Sequence, residues 1–246
     1  MNRRATLTSV LTALLAVSLA ACTTEPTATQ DDKPAVPAAS RTASPEASGA
    51  PGGPAGGTAL AEAIGQLKIA AEVAGGYDRK AFKHWNTGLD ADDGCDTREE
   101  VLLAEAVKPP TKGSGCKLSG GEWLSYYDEL TITDPGKLDI DHMVPLEEAW
   151  SSGAQDWDAD RREAYANDVQ AERSLVAVSF KTNRGKGRKD PAEWLPPAES
   201  AHCTYASDWT GTKLRWNLTP DQAEVDTLLR LADGCPDTTV EFTPAS

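Results

Sequence analysis

The first 76 residues contain no Phe, Tyr or Trp, and all fifteen aromatic residues of the 246 lie at or after Tyr77. Aromatic side chains supply much of a core's buried area, so the core belongs to the C-terminal three quarters of the chain. Positive charge is scarce as well: 24 Lys and Arg stand against 38 Asp and Glu, a formal net charge of −14. That balance excludes a generally basic nucleic-acid coat protein, because a phosphate backbone would be repelled at long range. Internal repeats and heptad runs are absent, which excludes solenoids and coiled coils. Length and composition allow one or two domains.

The main apolar stretch, about Leu7 to Leu19, follows Arg3-Arg4 and is too short and wrongly flanked to span a bilayer. It reads as a signal peptide over residues 1–21. Its end, Leu19-Ala20-Ala21-Cys22, resembles a bacterial lipobox, which implies lipidation of Cys22 and a protein held at the outer face of the bacterial membrane or released from it. Loss of Arg3 and Arg4 with the leader takes the net charge to about −16. From Thr23 to Gly57, 27 of 35 residues are Ala, Pro, Thr, Gly or Ser. Such a segment cannot bury enough to fold, so 22–57 is expected to be a disordered tether reaching about 30–35 Å. The folded domain is then 58–246.

Four cysteines remain: Cys95, Cys116, Cys203 and Cys235. None of them has the C-x₂₋₄-C spacing that grips zinc, and an even number in an oxidising compartment suggests two disulfides. Of three connectivities, Cys95–Cys116 and Cys203–Cys235 close the short local loops and are favoured. The remaining sequence suggests an α+β fold. Helices are expected over Thr58–Ala74, from Asp96 into Val101-Leu102-Leu103, over Glu147–Trp150, Ala159–Asn167 and Asp221–Ala232. Strands are expected over Leu138–Val144, with Asp139 and Asp141 on one face and Leu138, Ile140 and His142 on the other, and over Ser174–Phe180. The glycines of Thr182-Asn183-Arg184-Gly185-Lys186-Gly187 predict a turn.

The chemistry concentrates in Asp139-Ile140-Asp141-His142-Met143-Val144-Pro145-Leu146 and, 41 residues after His142, Asn183-Arg184-Gly185-Lys186. Hydrolysis of a phosphodiester needs a base for water and a hard cation for phosphate oxygens. Histidine suits the first task near neutral pH, and Asp and Asn oxygens suit Mg²⁺ or Mn²⁺. Lys181, Arg184, Lys186, Arg188 and Lys189 also place five cations in nine residues of an acidic chain. A phosphate backbone could dock there by local attraction, weakly and with strong salt dependence.

These two strings resemble the HNH, or His-Me finger, endonucleases. The stretch from Cys95-Asp-Thr-Arg-Glu through Gly121-Glu-Trp123, Pro145-Leu146-Glu-Glu-Ala-Trp150, Asp190-Pro191-Ala-Glu-Trp194 and Cys203-Thr-Tyr205 resembles secreted nucleases related to the C-terminal domain of the GmrSD restriction enzymes. The resemblance implies a ββα-metal core with added helices and a metal-dependent hydrolase cutting DNA, or RNA, with little sequence preference. It implies His142 as general base, Asp141 and Asn183 as ligands of one divalent cation, and Asp139 as an assisting ligand or a shaper of the turn. Lys186 and Arg184 would lie near the phosphate or order the loop, and Lys181 would join them. Arg98 would pair with a carboxylate or contact phosphate. The middle Asn of the HNH name falls at Ser174, which can offer the His142 loop one hydrogen bond, and Asn167 is a substitute from the preceding helix. A monomer is expected.

Other residues have plainer readings. Asp90-Ala-Asp92-Asp93-Gly94 begins like a calcium loop, but Val101 stands where the twelfth-position glutamate belongs, leaving an acidic surface turn. His84 and His202 lack ligand partners at i+3 or i+4 and read as structural. Trp123, Trp150, Trp157, Trp194 and Trp209 read as core or groove wall. Glu147 and Glu148 read as a solvated helix face rather than a glycosidase pair. Two competing functions stay in view: a surface lipoprotein that binds DNA without cutting it, and a cell-wall hydrolase using the acidic residues around Glu147, which would need neither metal nor His142.

Overall fold

The computed structural model describes residues 57–246; the leader, Cys22 and the tether to residue 56 lie outside the described residues. Strands are β1 Thr58–Ala59, β2 Thr111–Lys112, β3 Leu118–Ser119, β4 Trp123–Ser125, β5 Leu130–Ile132, β6 Leu138–His142, β7 Leu175–Ser179 and β8 Thr239–Val240. Helices are α1 Leu60–Ile64, α2 Thr97–Ala104, α3 Leu146–Ser151, α4 Ala159–Ala166, α5 Phe180–Lys186, α6 His202–Trp216 and α7 Gln222–Asp233. The strands form four antiparallel pairs, β1–β8, β2–β3, β4–β5 and β6–β7, so helix and strand are mixed.

The central pair is β6–β7, in register Leu138↔Ser179 through His142↔Leu175. All five residues of β7 are buried because both of its faces are covered. Leu138 and Ile140, with Leu175 and Ala177, pack against Val101, Leu102 and Trp123. Val176 and Val178 face the main core of Phe82, Tyr127, Tyr165, Tyr205, Trp209 and Trp216. The two-residue period of a strand therefore puts Asp139 and Asp141, which lie opposite Val178 and Val176, on the face of β6 that borders the main core.

Helix α2 begins with a capping box: the Asp96 carboxylate accepts from Glu99 N, and the Glu99 side chain accepts from Asp96 N. The Cys95–Cys116 disulfide ties that cap to the loop between β2 and β3, and Cys203–Cys235 ties the start of α6 to the end of α7. By loop-closure entropy each contributes about 3 kcal/mol. The Asp90–Gly94 segment is an acidic turn, with Lys112 bound to Asp93 at 2.9 Å.

Several expectations are corrected. The Thr58–Ala74 helix stops at Ile64, because beyond Gly65 the backbone bonds elsewhere: Ala70 N donates to Pro220 O and Val73 N to Ser151 O. The expected turn at Thr182–Gly187 is instead the body of α5, with Gly185 helical; the turn comes only at Gly187, where φ is +59°. The fifteen-residue α6 was not anticipated, since Gly211 and three threonines blur its stripe of Tyr205, Trp209, Lys213 and Trp216.

Glu148 is not solvated. It is buried, its carboxylate accepting from Lys213 Nζ at 2.9 Å, and Lys213 also binds Glu224 at 2.7 Å. Burial pushes Glu224 up to about 7. Burial also works against the Lys213 ammonium, but the two carboxylates more than offset it and raise its pKa. Truncating one partner leaves the rest buried and uncompensated. Lys213→Met is therefore expected to cost about 3–5 kcal/mol, measurable as a lowered urea midpoint; an unchanged midpoint would show the triad to be energetically idle.

Candidate active site

Strand β6 ends at His142, and its partner strand leads directly into α5 through Ser179, whose side chain accepts from Thr182 N. The short helix carries Asn183 and Arg184 back toward β6. His142, Asp141, Asn183, Arg184, Arg188 and Arg79 line one cleft of about 340 Å³. A cavity of about 390 Å³ near Arg173 and Asp208 is larger, but none of the cleft's Asp141, His142 and Asn183 lines it.

The His142 imidazole is buried. Its Nε2 lies 2.9 Å from the Ala166 carbonyl, an acceptor only, so Nε2 carries the proton and Nδ1 is left with a free lone pair. The ring is stacked between Trp85, at 5.7 Å and 23° between planes, and Tyr165, at 6.3 Å and 24°. Burial is the main cause that pushes His142 down to about 3, with the nearby Arg79 acting in the same direction. The side chain is thus an unprotonated base throughout the neutral range. Trp85 adopts φ +61°, a costly conformation for a bulky residue, and contacts both His142 and His84.

Asp141 is buried beneath the strand and pairs with Lys186 Nζ through Oδ2, which also accepts from Tyr127 OH at 2.7 Å. Lys186 is fully buried; it donates to the carbonyls of His142 at 3.1 Å and Met143 at 2.7 Å and faces the rings of Tyr127, Tyr205 and Trp209. Burial pushes Asp141 up and Lys186 down, and the pairing of the two groups opposes both shifts. The phosphate contact expected of Lys186 is therefore corrected. Its ammonium has no path to solvent and instead holds the end of β6, the loop-ordering alternative.

Asn183 Nδ2 lies 3.5 Å from Asp139 Oδ2, and Arg184 Nε lies 3.7 Å from the same oxygen. Arg188 faces Glu147 at 3.5 Å. Lys181 is exposed and does not line the cleft. Arg98 is corrected on both counts: it donates to the carbonyls of Pro135 at 2.9 Å and Leu138 at 3.0 Å, touching neither a carboxylate nor the cleft. Ser174 makes no side-chain bond to the His142 loop, because its buried hydroxyl is unpartnered; its carbonyl accepts from Met143 N at 2.9 Å instead. Asn167 is occupied with Asn86, Thr97 and Lys83, so the neighbouring Ala166 carbonyl takes the imidazole. His84, read as structural, sits 6.4 Å from the His142 ring. Glu147 and Glu148 point into different partnerships, which removes the glycosidase pair.

Asp139, Asp141 and Asn183 offer oxygen donors of the type a hard cation takes. Such ions take one or two carboxylates and keep several waters. Asp139 and the Asn183 carboxamide stand side by side, rotation of the amide would present its oxygen, and Asp141 retains Oδ1. A separate acidic group, Glu72, Asp190 and Asp221, lies outside the cleft, with Glu72 pushed up to about 7 by burial and by Glu148.

Residues 99–231 match the model of the GmrSD restriction endonucleases, C-terminal domain. The chain belongs to that family. The matched span contains β6, β7 and α5, while Arg79, His84 and Trp85 precede it. An uncharacterized secreted protein of Arthroderma benhamiae is 38% identical over 160 residues, covering 65% of this chain and 76% of the relative. No solved structure gives a significant match. Arg79, Trp85, Tyr165 and the Ala166 carbonyl were not found from the sequence as site residues, because they reach His142 only through folding and carry no local motif. Family membership makes a nuclease-type function and a divalent metal the general expectation for this chain.

Proposed function

We propose that this family member is an extracytoplasmic, metal-dependent endonuclease and that β6, β7 and α5 form a ββα-metal centre. The observation that carries the reading is the His142 ring, turned by the Ala166 carbonyl so that Nδ1 is left free in a cleft containing Asn183 and three arginines. His142 Nδ1 takes the proton of the attacking water, and Lys186 fixes the backbone that carries the ring. Arg79, Arg184 and Arg188 of the cleft offer guanidinium groups to the phosphate, with the exposed Lys181 of α5 adding positive charge nearby. Asp139, Asn183 and Asp141 Oδ1 would hold one Mg²⁺ or Mn²⁺, which supplies charge stabilisation to the phosphate and the leaving 3′-oxygen. The products are then 5′-phosphate and 3′-hydroxyl ends.

Two disulfides and the secreted relative support a place outside the cytoplasm, and lipidation at Cys22 would keep the protein at the membrane. DNA is the proposed substrate, with RNA as a second. The chain is expected to nick and then linearise supercoiled plasmid in Mg²⁺ or Mn²⁺, to stop in EDTA, and to resume when the metal is restored. Retardation of DNA without cutting under all metals would instead favour the binding lipoprotein.

A further inference from the structure

Phe180 is the most exposed aromatic side chain among the described residues, with 41% of its surface open to solvent. A single exposed apolar residue needs no explanation by itself. Its surroundings do. Phe180 opens α5, one turn before Asn183, and the Arg184 guanidinium lies over its ring at 5.0 Å. The same guanidinium reaches Asp139 and lines the cleft beside His142, so the Phe180–Arg184 pair continues the cleft wall outward. Lys181 follows Phe180 on the surface, and Arg188 flanks the cleft one turn further on. Exposed π-faces interleaved with cations are how single-stranded nucleic acid is held: bases stack on aromatic rings or guanidinium planes while the cations follow the phosphates. The other exposed large apolar residues, such as Leu124 and Leu130 on the β4–β5 pair, have no aromatic face to offer.

We propose that Phe180 and Arg184 form a stacking platform for an unpaired base next to the bond being cut, which makes single-stranded or locally unpaired nucleic acid the preferred substrate class. The proposal rests on the nuclease reading above. In a duplex both faces of each base are covered by neighbouring pairs, so a platform of this kind engages only a strand whose bases are free. A strongly acidic chain lacks the broad positive surface that would follow a duplex groove, and local stacking compensates for part of that lack.

The test uses the full chain carrying His142→Ala, so that substrates survive, with Mg²⁺ at low salt. Fluorescence anisotropy would follow binding of an oligothymidine of about twelve nucleotides and of an abasic oligomer of equal length. Phe180→Ala is expected to weaken oligothymidine binding roughly tenfold and abasic binding less than about twofold, because only the first ligand has bases to stack. Phe180→Leu should behave like the alanine variant and Phe180→Tyr like the parent, which separates loss of the π-face from loss of bulk or of α5. Equal losses on both oligomers, no loss on oligothymidine, or a leucine variant that binds like the parent would overturn the platform while leaving the nuclease reading intact. A parent that binds neither oligomer, with no plasmid cutting by the unsubstituted chain, would remove the nuclease reading and the platform together.

Discussion

His142→Ala should lower the rate of plasmid cleavage by about 10²–10⁴, the usual worth of a positioned general base. The expected size follows from the environment of the ring. No other imidazole can take its place: His84 lies 6.4 Å away with Nδ1 bound to Phe82 O and Nε2 facing Arg79, and His202 is bound to Pro196 O. Nothing charged depends on the ring for pairing, since its one hydrogen bond is to a backbone carbonyl. The substitution should therefore leave the protein folded, apart from the cavity it opens between Trp85 and Tyr165. Single-turnover cleavage beside a thermal melt separates the two effects. Full activity in a folded His142→Ala variant would sink the assignment of the base.

The largest effect on stability is expected at Lys186. Its fully buried ammonium satisfies Asp141, the carbonyls of His142 and Met143, and the Tyr127 hydroxyl. Lys186→Met would leave the Asp141 carboxylate buried with only Tyr127, a loss of about 3–5 kcal/mol. The strand end carrying His142 would lose its anchor at the same time, so cleavage should fall together with the urea midpoint. Replacing both partners, Asp141→Leu with Lys186→Met, should recover much of the stability by removing the unpaired charge, yet stay inactive. Wild-type stability in the single variant would mean that the pair is not the clamp it is taken to be. If instead the single variant folded normally and lost only substrate affinity, Lys186 would belong to the phosphate site after all.

The comparison of sequence with structure turns on which features are local. Strand β6 was legible from its Asp-x-Asp alternation, which declares a two-residue period, and β7 from the short β-branched apolar run Leu175–Val178. Helix α2 was legible from its capping box, and the two disulfides from the short loops they close. The acidic balance, the absence of aromatic residues before Tyr77, and the pairing of Asp-His with a distant Asn-Arg-Gly-Lys are likewise written in the chain itself. The strand and capping signals depend on residues within a few positions of one another, where backbone geometry limits the outcome, and the others are counts and spacings read directly along the chain.

What the tertiary structure decided is the fate of side chains with more than one use. Lys186, Arg184 and Arg188 belong to the same basic run, yet one points inward to Asp141 while the other two face the cleft. Helical phase separates Arg184 from Lys186 only once α5 is docked against β6, Arg188 follows the turn at Gly187, and a lysine stem is long enough to serve either side. Ser174 and Asn167 were candidates to hold the His142 loop, but neither side chain does so, and the Ala166 carbonyl orients the imidazole itself. A backbone acceptor is present at every residue, so no sequence pattern could single this one out. The segment from Tyr77 to Asn86 supplies Arg79 and Trp85 from far along the chain, held there by contacts such as Asn86 N with Asn167 Oδ1. Sequence determined the chemistry available to the site, because residue types and short-range periods are local. The fold alone determined which groups face the substrate, because burial and long-range packing are properties of the whole domain.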